Sequence, residues 1–148
     1  MPTAQRRAEV TWEGDLAKGT GRLKVGSGAF PEQIITFPAR VEQPDGKTSP
    51  EELIAAAHAG CFAMALSHAL TQGGTPPTRL NVSAVCTLDR TDGGFRITTM
   101  DLEVEGQVPG ADQARFEQAA QQAKEGCPVS QALHNNVDIR LKARLASS

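Results

Sequence analysis

The chain has 148 residues, and its 15 Lys plus Arg against 17 Asp plus Glu give a formal charge of −2. With 39% hydrophobic and 22% charged residues it can bury a core, and its length fits one domain, residues 1–148. The charge balance offers no attraction to nucleic acid or an anionic membrane, and 4% aromatics without a single Tyr offer no stacking platform for bases.

Met1–Arg7 is polar and basic, and no apolar run of signal-peptide length follows it, so the reading is a cytoplasmic protein with reduced thiols. Arg6–Trp12 alternates with Ala8, Val10 and Trp12 on one face, and Thr20–Val25 reads as a second short strand after Gly14 and Gly19. Ile34–Val41 reads as a third strand, on an edge or bulged because it contains Pro38. Gln43-Pro44-Asp45-Gly46-Lys47 is a turn.

Ser49-Pro50-Glu51-Glu52 marks a helix start: a capping Ser, Pro at the first helical position, and carboxylates at the positive end of the dipole. The helix runs to Gln72, where Gly73-Gly74 stops it. Within it, Leu53–Leu70 is uncharged, but seven of its eighteen residues are Ala, and His58, Gly60, Ser67 and His68 interrupt it. That composition argues for a buried helix and against a membrane span. Being apolar nearly all round, it should be covered on every side, and an obligate homodimer would supply the cover.

Arg79–Asp89 is a strand with Leu80, Val82, Ala84, Cys86 and Leu88 on one face, turned by Asp92-Gly93-Gly94 into Phe95–Val108. The phase of alternation changes between Ile97 and Met100, which predicts a bulge. A second helix spans about Asp112–Glu125, with Phe116, Ala119, Ala120 and Ala123 at helical spacing. Cys127-Pro128 caps a short helix through Leu133, and Val137–Leu145 alternates as a last strand. The whole is an α+β protein.

The three cysteines differ in setting. Cys86 lies on the apolar face of its strand and reads as a packing residue. Cys61, in mid-helix beside Gly60 and Phe62, stays inert unless a cation such as Arg reaches it. Cys127 stands at a helix start, where free backbone N–H groups and the dipole favour a thiolate. His58 and Cys61 share a helix face, so a metal held by His58, Cys61 and Cys127 or His134 is a competing reading, weakened by the lack of any CxxC pair. The plainer reading of His58 and His68 is as hydrogen-bonded core or interface groups.

The segment Ser49-Pro50-Glu51-Glu52-Leu53-Ile54-Ala55-Ala56-Ala57-His58-Ala59-Gly60-Cys61-Phe62-Ala63-Met64-Ala65-Leu66 closely resembles the first cysteine motif of the OsmC/Ohr family. Ala123-Lys124-Glu125-Gly126-Cys127-Pro128-Val129-Ser130 resembles its second, and Trp12-Glu13-Gly14-Asp15 and Val108-Pro109-Gly110 resemble the osmotically inducible branch. The resemblance implies an OsmC-like α+β fold, with antiparallel sheets wrapped around long central helices in an intertwined homodimer. It implies a thiol peroxidase of oxidative and osmotic stress defence, reducing organic hydroperoxides to alcohols and hydrogen peroxide less efficiently. No cofactor and no metal are implied. By position, Cys61 would be the peroxidatic thiolate, Cys127 the resolving thiol, Arg40 the activating cation and Glu51 the carboxylate that orients Arg40. An external dithiol, of lipoyl type by family expectation, would reopen the Cys61–Cys127 disulfide.

Glu51 and Cys61 are ten residues apart, or about 15 Å along one helix. Arg40 must span that gap, or Glu51 must come from an antiparallel partner helix, and the expectation is a site composed from both chains. Two other classes stay open: a redox-sensing or ligand-binding homologue without rapid turnover, and a metal-binding one.

Overall fold

The computed structural model of the chain describes residues 1–146. Its contacts form two compact units, Met1–Leu53 and the chain from Ile54 onward.

The first unit holds an antiparallel sheet of β1 (Ala8–Glu13), β2 (Thr20–Val25) and β3 (Gln33–Ile35), in that order. Gly21 of β2 pairs with Trp12 on one side and Ile35 on the other. A Cβ there would stand 2.6 Å from the Ile35 side chain and 2.9 Å from the Trp12 ring, so the absence of a side chain lets both close over the strand. Trp12 donates its indole N–H to the Gly14 carbonyl at 2.9 Å.

The strand expected over Ile34–Val41 ends early. β3 stops at Ile35, and Phe37–Val41 forms a short helix, α1. Thr36 is its N-cap: the backbone is extended there and the hydroxyl accepts the Ala39 N–H at 3.2 Å. Pro38 falls in the first turn, where its missing N–H leaves no bond unmade. The same Pro that argued for an edge strand is thus a helix starter, and Arg40 sits on α1, not at a strand end.

Helix α2 (Pro50–Gln72) has the bounds its sequence predicts. Ser49 Oγ accepts the Glu52 N–H at 3.1 Å, and Thr48 donates its hydroxyl to the Glu52 carboxylate at 2.8 Å. At the other end Gly74, with φ +87°, lets the Thr75 N–H return to the Leu70 carbonyl at 2.9 Å. By length and composition α2 could cross a membrane, but its row His58, Phe62, Leu66 and Leu70 is buried as a core stripe. The expected cover on every side is not met by the described residues of one chain: Ala56, Ala57, Gly60, Met64 and His68 are exposed. Ala and Gly on both faces hide from the sequence which side the chain itself covers.

The second unit holds a sheet in the order β4 (Arg79–Thr91), β5 (Gly94–Gln107), β6 (Asp138–Leu145). β4 and β5 form an antiparallel hairpin in which Thr87 faces Thr99 and Leu88 faces Ile97, leaving Thr98 as the extra residue of the predicted bulge. β6 runs parallel to β5, which requires a crossover, and α3 (Gln113–Gly126) with α4 (Pro128–Leu133) provides it. One sheet face carries Met100, Leu102 and Val104 into a cluster with Phe62, Leu66, Leu70, Phe116 and Ala120. Each large side chain buried this way contributes about 1.5–3 kcal/mol. The outer face pairs Asp101 with Arg140, Glu103 with Lys142 and Glu105 with Arg144, directly across the β5–β6 ladder. Gln113 of α3 finishes the sheet edge: its amide donates to the Ala143 carbonyl at 3.0 Å and accepts the Leu145 N–H at 2.8 Å.

Candidate active site

Two polar constellations stand out, one in each unit. In the first, Arg40 of α1 meets Glu51 in the first turn of α2. Arg40 Nε donates to Glu51 Oε1 at 2.9 Å and Oε2 at 3.2 Å, and Nη2 donates to Oε2 at 2.8 Å. This fork fixes the guanidinium plane. The Glu51 side chain is 8% exposed and that of Arg40 is 36% exposed, so the carboxylate is a buried anchor and the cation still reaches solvent. The Glu51 hydrogen bonds raise the Arg40 pKa, against a smaller desolvation effect and with help from the Glu51 charge. The cation is permanent at any working pH.

Glu51 satisfies one edge of the guanidinium, and among the described residues no acceptor takes the Nη1 donors. Arg40 also lines a cleft of about 80 Å³, together with Trp12, Leu16, Ile35, Thr36, Phe37 and Pro50. An apolar wall ending in a cation suits a molecule with an alkyl body and a polar oxygen head. Leu16 and Phe37 were not singled out by sequence, because no periodicity marks a lining residue.

The second constellation gathers at the start of α4. Cys127 is the N-cap, and its sulfur accepts the Ser130 N–H at 3.3 Å. Cys61 of α2 is half-buried, and its thiol lies near the Val129 backbone and the Cys127 side chain. Residues 66 apart in sequence are thus brought near one another, both as free thiols. Burial pushes the Cys61 thiol up, the Val129 backbone pulls it down, and the neighbouring Cys127 pushes it up again. The net direction is upward, so the thiolate needs a cation, as the mid-helix setting led one to expect.

Behind Cys127, Ser130 Oγ lies 3.3 Å from its sulfur and 2.7 Å from His58 Nε2. His58 is therefore the hydrogen-bonded core group the sequence reading favoured, whereas His68 is exposed. Ser130 escaped notice as a site residue, although its place three residues after a capping Cys was the available signal. Among the described residues no three His, Cys, Asp or Glu side chains converge as a metal set, and Ser130 Oγ is hydrogen-bonded to His58 Nε2. Cys86 lies on the core-facing side of β4, opposite Met100.

Comparison with known proteins gives this arrangement a family. Residues 43–142 match the family model described as OsmC-like protein. The chain is 43% identical over 143 residues to Peroxiredoxin OsmC of Escherichia coli (strain K12), covering 95% of this chain and 99% of that protein. It is 31% identical over 144 residues to organic hydroperoxide resistance protein OhrB of Bacillus subtilis (strain 168), covering 93% and 96%. The crystal structure of Bacillus subtilis OhrB superposes with a TM-score of 0.74 at 28% identity, over 93% of this chain and 98% of that one. An organic hydroperoxide resistance protein OsmC from Legionella pneumophila superposes with a TM-score of 0.76 over 97% and 99%, and at 23% identity it speaks for the fold alone. A family match over two thirds of the sequence, and close relatives along almost all of it, make this chain a member of the OsmC family.

Proposed function

We propose that this protein is a two-cysteine thiol peroxidase that reduces organic hydroperoxides to alcohols, and hydrogen peroxide less efficiently, in oxidative and osmotic stress defence. The observation that carries the reading is the proximity of two free thiols, Cys61 and Cys127, at the start of α4, in a chain whose relatives bear peroxiredoxin and hydroperoxide-resistance names.

The chemistry follows from the groups present. The Cys61 thiolate attacks one peroxide oxygen; the O–O bond breaks, the alkoxide takes a proton and leaves as alcohol, and Cys61 becomes a sulfenic acid. Arg40, oriented by Glu51, favours the thiolate and binds the second peroxide oxygen through its open Nη1 donors. Cys127 attacks the sulfenic sulfur, releasing water and forming the Cys61–Cys127 disulfide. An external dithiol, of lipoyl type, reopens it by exchange. The apolar cleft beside Arg40 favours an alkyl hydroperoxide over a small polar one.

The working unit we propose is a homodimer of single OsmC-like domains, residues 1–148, with each site composed from both chains. The exposed stripe Ala56, Gly60, Met64 on an otherwise core-forming helix supports it, since small residues allow a second helix to approach closely. Mass spectrometry after one equivalent of cumene hydroperoxide tests the chemistry: a Cys61–Cys127 disulfide is expected, and stoichiometric metal without a disulfide would overturn the reading. Light scattering tests the assembly, with twice the chain mass expected.

A further inference from the structure

Cys127 is joined to two groups that the peroxidase chemistry above leaves unused. Its sulfur is 3.3 Å from Ser130 Oγ, which is 2.7 Å from His58 Nε2. Cys127, Ser130 and His58 are 0%, 3% and 0% exposed, so bulk water has little direct access to them. The hydrogen bonds run one way: the Cys127 S–H donates to Ser130 Oγ, and the Ser130 O–H is then free to donate to His58 Nε2. His58 Nδ1 is buried without a hydrogen-bond partner among the described residues. For packing alone, an apolar side chain at position 58 would avoid that orphaned nitrogen, so the imidazole calls for another reason.

We propose that Ser130 and His58 form the proton relay of Cys127, an inference that rests on the peroxidase reading. Ser130, in contact with the reacting sulfur, is the catalytic member, and His58 acts through it. As the Cys127 sulfur bonds to the Cys61 sulfur, the thiol proton passes to Ser130 Oγ and the Ser130 hydroxyl proton passes to His58 Nε2. The S–O bond of the Cys61 sulfenic acid breaks with its electron pair on oxygen. The departing hydroxide takes one proton, leaves as water, and the imidazole returns to neutral. Cys127 is oxidised and the Cys61 sulfur reduced within one pair, so no other oxidant enters. When an external dithiol opens the disulfide, the proton lost by its attacking thiol reaches the leaving Cys127 sulfur through His58 and Ser130. His58 and Cys61 are three residues apart on α2, which puts the proton acceptor one turn from the sulfur that loses hydroxide. Burial lowers the His58 pKa, so the ring starts neutral and holds the extra proton only in passing.

A single-turnover experiment with cumene hydroperoxide separates the two steps, reading sulfenic acid by dimedone trapping and disulfide by mass spectrometry. In Ser130→Ala and in His58→Gln, disulfide formation should slow about 10- to 100-fold relative to sulfenic acid formation in the same variant. Ser130→Thr, which keeps a hydroxyl, should restore most of the rate. A ratio within about twofold of the unsubstituted protein in both variants would overturn the relay, as would an equal loss of both steps, which marks a purely structural role. If His58→Gln fails to fold, Ser130→Ala, which removes one oxygen atom, decides the matter. Absence of sulfenic acid in the unsubstituted protein would instead count against the peroxidase reading. The relay is then judged on the disulfide formed with diamide, whose reduction by dithiothreitol should slow about tenfold in the same two variants, an unchanged rate rejecting it.

Discussion

The Arg40–Glu51 pair and the Cys127–Ser130–His58 cluster solve opposite problems with hydrogen bonds. The first holds a charge that never titrates, anchored by a buried carboxylate and open to solvent on its other edge. The second holds neutral groups away from water, each able to pass a proton to the next. A permanent cation can stabilise a thiolate and a developing alkoxide, but it cannot take up the proton released when a thiol becomes a disulfide. A neutral thiol–hydroxyl–imidazole chain can do that and supplies no field for the first step. In the proposed chemistry that difference gives the two constellations different halves of one cycle.

The strongest way to break that division is at the cysteines. Cys61→Ser should lose turnover by more than about 10³-fold, since no other nucleophile takes its place. Cys127→Ser should still form the Cys61 sulfenic acid and then stall, with no intramolecular disulfide on non-reducing mass analysis. Turnover surviving in Cys61→Ser would end the assignment of both halves.

Next come the charge-pair variants. Arg40→Met removes cation and donors together, and sulfenic acid formation should slow about 10²- to 10³-fold, the scale of losing one electrostatic stabiliser of a transition state. Glu51→Gln leaves the charge and weakens the fork, because a neutral amide accepts a hydrogen bond about half as strongly as a carboxylate. A loss of roughly tenfold is expected there, read by stopped-flow as the second-order rate with cumene hydroperoxide. In both variants the disulfide step should change less than the first. If it changes more, the comparison fails.

How much of this was legible in the sequence depends on the range of the interaction. Helix α2 was readable to the residue because its signals are local: Ser49, Pro50 and the acidic first turn at one end, Gly73-Gly74 at the other. The bulge at Thr98 was readable because a skipped residue shifts the two-residue alternation that follows it. The strand assigned over Ile34–Val41 failed where two local signals conflicted. Pro38 disfavours a central strand and favours a helix start, and Thr36 decides in favour of the helix by bonding the Ala39 N–H. The two cysteine motifs named the family, whereas the contact of His58 with Ser130 spans 72 residues and leaves no periodic trace. Nor could composition say which face of α2 its own chain covers, since Ala occurs on both.

A smaller effect sharpens the neutral half of the comparison. Because burial lowers the His58 pKa, the folded state binds fewer protons there than the unfolded chain does. Stability from this group is therefore fully present above the unfolded value of about 6.5 and declines as pH falls below it. Urea denaturation across that range should show the decline, and His58→Gln should flatten it. A decline unchanged in the variant would mean that other groups set the acid limit.

The smallest expected effect belongs to the third cysteine. Cys86 has the same side chain as the proposed reactive pair, so any difference in behaviour comes from place alone. It sits on the core face of β4, across from Met100, and packs against the cluster that holds Phe62 and Leu66. Cys86→Ser exchanges a weakly polar sulfur for a hydroxyl in partly apolar surroundings, at a cost of about 1 kcal/mol in urea denaturation. Both step rates should stay within about twofold, because the substitution removes neither a charge nor a proton carrier from either constellation. The disulfide found after oxidation should still join Cys61 and Cys127. Loss of that disulfide in Cys86→Ser would show that Cys86 takes part in the exchange, and reactivity would then follow residue type and not the settings at α4 and α2 from which the two halves were told apart.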